Sequence, residues 1–152
     1  MIYLLDTDSL IHLVRGLRIA DPKSASQKQR VRSAQKIFSH CRDTDQKGDI
    51  IGLSAITVAE LEYGARRSDN YEREISAIRK IITPFAIFDF DAVECTRRYG
   101  QIRSELEREG APIGSMDMLI AAQAVALAAT LVSCNTREFA RIPGLSCQDW
   151  TK

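Results

Sequence analysis

Short apolar runs that each stop at a polar residue alternate along this chain with stretches of helical periodicity, and that alternation limits the folds open to it. Ile2 to Leu5 is apolar and ends at Asp6, the pattern of a buried first strand. Asp49 to Leu53 reads as a second strand, Phe85 to Phe90 as a third and Thr130 to Cys134 as a fourth. Between them, Ser9 to Arg15 is expected as a short helix ending near Gly16. Asp21 to Gly48 holds a long amphipathic helix with Val31, Ala34, Ile37 and Phe38 at helical spacing and a basic outer face. Thr57 to Arg67 and Asn70 to Ile82 read as two more helices. Asp91 to Glu109 is the clearest: Ala92, Cys95, Tyr99, Ile102 and Leu106 repeat at steps of three and four, and Gly110 follows where a left-handed residue ends a helix. Met116 to Ala129 is almost wholly apolar and is expected to be buried all round, and Gly144 to Trp150 forms a short closing segment. Strands alternating with helices imply an α/β fold, a mostly parallel central sheet with helices on both faces.

The length, 152 residues, suits one domain, and an apolar fraction of 45% is enough for a core. A formal net charge of +1 names no partner, so a nucleic-acid binder of this composition has to gather its basic residues locally. Cys41, Cys95, Cys134 and Cys147 form no CxxC pair, which argues against a zinc or redox motif. Apolar neighbours around Cys95 and Cys134 point to buried thiols. No apolar run reaches the ~20 residues of a membrane span, and the start lacks the basic region of a signal peptide, so the expected location is cytoplasmic.

Ligands of open parallel sheets sit at the carboxyl ends of the strands. Four polar residues fall just past strands or in the first turns of following helices: Asp6, Glu60, Asp117 and Asn135. Clustered carboxylates repel and are costly to desolvate. A hard divalent cation removes that cost, and oxygen-only ligands favour magnesium or manganese over zinc. Such a site activates water and neutralises a phosphate under attack without a histidine or nucleophilic side chain; the chain's histidines, His12 and His40, lie beside no acid cluster. Each residue also has a purely structural reading. Thr57-x-x-Glu60 matches a capping box, Asp117 complements a helix dipole, and Asn135 suits a turn. Asp6, ending a buried strand, has the weakest alternative. Asp8, Asp21 and Asp91 read as helix caps.

These residues sit in segments that resemble PIN-domain ribonucleases, the VapC-type toxins of type II toxin–antitoxin (VapBC) systems. The segments are Leu4-Leu5-Asp6-Thr7-Asp8-Ser9-Leu10, Ser54 to Ala65, Tyr99 to Leu106, Ile113 to Ala122, Leu131 to Phe139 and Pro143-Gly144-Leu145, in the family's order from residue 2 to residue 150. The resemblance implies one PIN domain over residues 1–152 and a Mg2+- or Mn2+-dependent endoribonuclease. It implies metal ligation by Asp6 and Asp117, with Glu60 supporting the metal or orienting water, and Asn135 at the family's fourth acidic position. It further implies an RNA substrate, a cognate VapB-like antitoxin whose arginine could pair with these acids, and a homodimer. Ser115-Met116 stands where the family often has proline–asparagine, and the 21–48 segment is longer than in the shortest members. Lys23, Lys28, Arg30, Arg32 and Lys36, with Arg66 and Arg67, are candidates for holding an RNA backbone.

Two other readings fit part of the pattern. A non-catalytic RNA- or protein-binding PIN-like module would use the scaffold without cleaving. Asp6-Thr7-Asp8 after a strand also resembles the DxD of haloacid-dehalogenase-like phosphohydrolases, but the lysine and late acidic pair that chemistry needs are not found near Asn135.

Overall fold

A computed structural model describes residues 1–152. Five strands form one parallel sheet: β1 (Ile2–Leu5), β2 (Ile50–Ser54), β3 (Ala86–Phe88), β4 (Thr130–Val132) and β5 (Ser146–Gln148). Seven helices connect and follow them: α1 (Thr7–Leu17), α2 (Ala25–Gln46), α3 (Ala55–Arg67), α4 (Tyr71–Ile82), α5 (Glu94–Arg108), α6 (Ser115–Ala126) and α7 (Thr136–Phe139). The strand order is β3-β2-β1-β4-β5. The chain therefore lays strands outward in one direction from β1, then returns to β1's other side with β4. Between β1 and β4 the direction of winding reverses, and crevices in open α/β sheets form at such a reversal, outside the carboxyl ends of the strands.

The register fixes what lines that edge. Leu5 pairs with Leu53 on one side and Val132 on the other, so the next residues, Asp6, Ser54 and Ser133, come level at the carboxyl end. Consecutive strand residues face opposite layers. Leu4 and Leu131 pack with Ile102, Leu106, Ile120 and Phe139, beneath α5, α6 and α7. Leu5 and Val132 pack with Leu10, Ile37, Leu53 and Ile75 on the other face, beneath α1 to α4. Both faces are covered, as the sequence pattern implies, and no helix is long and apolar enough to cross a membrane.

The structure corrects several sequence readings, each for a local reason. Helix α1 begins at Thr7 rather than Ser9 and ends at Leu17, one residue past Gly16 and close to the expected end. A Cβ on Gly16 would lie 2.2 Å from the Ala34 Cβ and 2.6 Å from the Arg30 carbonyl oxygen, so this glycine permits a close helix crossing rather than a stop. Gly110 does what was expected, following α5 with a φ of +66°. Ser24, not Asp21, caps α2, and it forms a full capping box with Gln27. Asp91 does cap the start of α5, its Oδ1 accepting from the amides of Val93 and Glu94. The apolar helix is Ser115–Ala126 and is not buried all round, since Met116 is 49% exposed. The closing segment contains a fifth strand, β5, and α7 has no counterpart in the periodicity because it is four residues long. Gln123, wholly buried in α6, donates to the carbonyls of Phe88 and Asp89 and so ties α6 to the end of β3.

Candidate metal-dependent active site

Asp6 is the side chain that the strand–helix junction makes hardest to expose. It follows β1, is 2% exposed, and takes the N-cap position of α1 with its Oδ1 accepting from the Ser9 amide at 2.8 Å. Asp8 is therefore not the cap; it is an exposed residue of α1's first turn. Burial raises the Asp6 carboxyl above the usual aspartate range, although the Ser133 and Ser9 side chains and the Ser9 amide draw it partly back.

Asp117 sits in the first turn of α6, next to a glycine cap. A Cβ on Gly114 would sit 3.4 Å from the Asp117 Oδ2, an ordinary van der Waals contact, so the carboxylate lies directly against the cap. Its carboxyl is pushed up to about 6, first by burial and then by the charges of Asp6, Asp8, Glu60 and Glu138. The sequence candidates Asp6, Glu60 and Asp117 thus share one electrostatic field. Asp8 and Glu138 join them, roles that the sequence reading did not give them.

Glu60 does not close a capping box. The cap of α3 is Ser54, whose Oγ accepts from the Ile56 amide at 3.0 Å, and this starts the helix earlier than Thr57. Glu60 instead reaches across to α1, where the Thr7 hydroxyl donates to its Oε1 at 2.6 Å. Asn135 follows β4 and holds the N-cap position of α7 without a side-chain capping bond; its side-chain amide donates instead to Glu138 at 2.7 Å, which links it to the acids. Glu138 could have been found as the acid in the first turn of α7, but a helix of four residues leaves no periodic signal.

None of these five acids has a cationic partner. The ion pairs of the molecule engage Asp21, Asp43, Asp49, Glu62, Glu74, Glu94, Glu107 and Asp149, and no lysine, arginine or histidine pairs with Asp6, Asp8, Glu60, Asp117 or Glu138. Carboxylates that share one electrostatic field without compensation suit a hard cation, and the donors are all oxygens. No three acids already close on one point as a ready-made cage. Thiol chemistry is disfavoured, because burial pushes Cys41 up to about 12 and Cys147 up to about 11. His40 is stacked on Trp150, 5.1 Å between ring centroids.

The PIN domain family model matches residues 3–145. Ribonuclease VapC2 of Rickettsia felis is 43% identical over 106 residues, 70% of this chain and 78% of that protein. Ribonuclease VapC1 of Haemophilus influenzae is 36% identical over 152 residues, 100% of both. The crystal structure of VapBC2 from Rickettsia felis bound to a DNA fragment from their promoter matches with a TM-score of 0.82 at 34% identity, covering 99% of each chain.

Proposed function

The chain belongs to the PIN-domain family and is an endoribonuclease toxin of the VapC type; from that premise we propose that it hydrolyses RNA with a magnesium or manganese ion held by Asp6 and Asp117. Glu60 supports that ion or orients the attacking water. The observation that carries this reading is the set of acids without cationic partners at the carboxyl edge, with Asp117 pushed up to about 6 by burial and by its acidic neighbours. A bound divalent cation would neutralise the attacked phosphate and lower the pKa of a water beside it. The chain's own residues set the stage for this. Asp6 is fixed by the Ser9 amide, Glu60 by Thr7, and Glu138 by the Asn135 amide, so three oxygen donors are oriented by hydrogen bonds on α1, α3 and α7.

The partner is a VapB-like antitoxin, as in the VapBC complexes this chain resembles. Within such a pair an arginine of the antitoxin would satisfy the unpaired acids bidentately. The test is to express the chain with and without its antitoxin. Alone, the wild type should arrest growth and the Asp117→Ala variant should not. Harmless growth with abundant, folded wild-type protein would reject the toxin reading. Uniform RNA cleavage by Asp117→Ala in magnesium would reject the site.

A further inference from the structure

Two buried hydroxyls stand behind Glu60, and the metal-site reading gives them no part. Thr7 follows Asp6 at the start of α1 and is 9% exposed; Thr57 lies one turn before Glu60 on α3 and is wholly buried. The Thr7 Oγ1 is 2.6 Å from the Glu60 Oε1 and 3.2 Å from the Thr57 Oγ1. A threonine hydroxyl carries one proton. A carboxylate can only accept, and it holds the shorter contact, so the Thr7 proton goes to Glu60. Thr57 must then donate to the Thr7 oxygen, since neither hydroxyl is left without a partner. The bonds run in one direction, Thr57 to Thr7 to Glu60, and bonds in such a chain polarise and strengthen one another.

We propose that Thr7, backed by Thr57, is a positioning residue that fixes the Glu60 carboxylate for cation binding. The inference rests on the metal-site reading above and adds to it the device that sets one of its ligands. Glu60 has a long side chain on a helix separate from the one Asp6 caps. Without a tether its carboxylate would sample several rotamers, few of them facing Asp6 and Asp117. Thr7 is bonded in the chain directly to Asp6, so the backbone that places the first acid also places the hydroxyl that orients Glu60. The hydrogen bond engages Oε1 and leaves Oε2 without a partner within the chain, available to a cation. A merely structural role would instead make Thr7 a buried polar group satisfied by whatever lay nearest, and its loss would cost stability alone.

The experiment measures Mn2+ binding to the RNA-free protein by electron paramagnetic resonance, alongside kcat and KM for RNA and the melting temperature. Thr7→Val keeps the shape and removes the donor; Thr7→Ser keeps the donor and removes a methyl. Thr7→Val should weaken Mn2+ binding and lower kcat by about tenfold or more, the scale of losing a group that orients a metal ligand. KM should change little, and Thr7→Ser should restore both quantities. Thr57→Val should shift both in the same direction by less. Mn2+ affinity and kcat unchanged in Thr7→Val, or Thr7→Ser as impaired as Thr7→Val, would overturn the proposal. If Thr7→Val fails to fold, Thr57→Val decides: wild-type Mn2+ affinity in that variant removes the tether. A wild type that binds no Mn2+ while still cutting RNA would sink the metal-site reading itself, an outcome distinct from any variant effect.

Discussion

At the N-terminal end of α1, Asp6 is 2% exposed and faces other carboxylates; at the C-terminal end of the same helix, Gly16 lies against the Ala34 side chain and the Arg30 carbonyl. The first end gathers like charge and gives up solvation. The second end gains contact by removing a side chain altogether. One helix therefore joins a region whose residues oppose folding to a region whose residues favour it. The two cores on either face of the sheet supply the stability that the acidic edge draws down. Substitutions at the two ends should consequently split activity from stability in opposite ways.

The largest effect is expected at the acidic end. Asp6→Asn and Asp117→Asn should each lower RNA cleavage by roughly 10²–10³-fold, the scale of losing one group that stabilises charge at a reacting centre. Both proteins should remain folded, because an uncharged amide is easier to bury than a crowded carboxylate. Steady-state cleavage in Mg2+ together with urea denaturation checks this. A variant that loses stability and activity in parallel would place the acid in the architecture rather than the chemistry.

At the other end the signs should reverse. Gly16→Ala improves helix propensity by about 1 kcal/mol. It also drives a methyl to 2.6 Å from a backbone carbonyl that cannot rotate away. Overpacking of this kind costs about 1–3 kcal/mol, so the variant should be net less stable while cutting RNA at the wild-type rate below its melting temperature. A stability gain would mean that α2 shifts freely over α1.

The pH dependence of stability separates the two ends again, with a smaller effect. In chelator, Asp117 has its pKa raised to about 6 in the folded protein, above the ordinary value near 3.8. The folded state then binds more protons than the unfolded state between those values, so stability should rise as pH falls from about 7 toward 4. Asp6, also raised, adds in the same sense. Asp91 and Asp149, both lowered, act oppositely and only at more acidic pH. Asp117→Asn should flatten the rise, and Mn2+ at neutral pH should stabilise the wild type more than the variant. A wild type whose stability falls steadily from pH 7 to 5 would show that neither burial nor the neighbouring acids raise the Asp117 carboxyl.

Much of the acidic edge was legible in the sequence, because a carboxylate at the end of an apolar run is an expensive placement that composition cannot disguise. Asp6 and Asp117 announce themselves that way. Glu60 was visible as a residue but its local partner was misread: Thr57 matched a capping box, and only the register of β2 shows that Ser54 starts the helix. Thr7 and Glu138 gave no signal, since their roles depend on residues distant in sequence or on a helix of a single turn. The α1–α2 crossing was illegible for the same reason. A glycine near the end of a helical pattern reads as a stop, and nothing within α1 reveals that another helix needs the space.

The smallest effect is expected from the basic run on α2. Arg30 and Arg32 are exposed, and Arg32 bonds to Gln29 within its own helix. The Arg30 backbone lies against Gly16, ten residues along α1 from Asp6, which at the α-helical rise is about 15 Å. The run is thus beside the far end of α1 and not beside the acids. A phosphate held at the acids lies more than a Debye length, about 8 Å at physiological salt, from these arginines and is largely screened from them. Reversing both charges, Arg30→Glu with Arg32→Glu, should therefore leave RNA affinity within about twofold at that ionic strength and leave its salt dependence nearly unchanged. Arg67 is the informative contrast. It ends the helix that carries Glu60, with its guanidinium 5.6 Å from the centre of the exposed Tyr63 ring, a cation–aromatic pair able to take an unstacked base. Arg67→Glu should weaken binding more than the double reversal on α2. If the α2 variant is the weaker binder, the RNA path runs over the packing end of α1, and the division between its two ends does not hold.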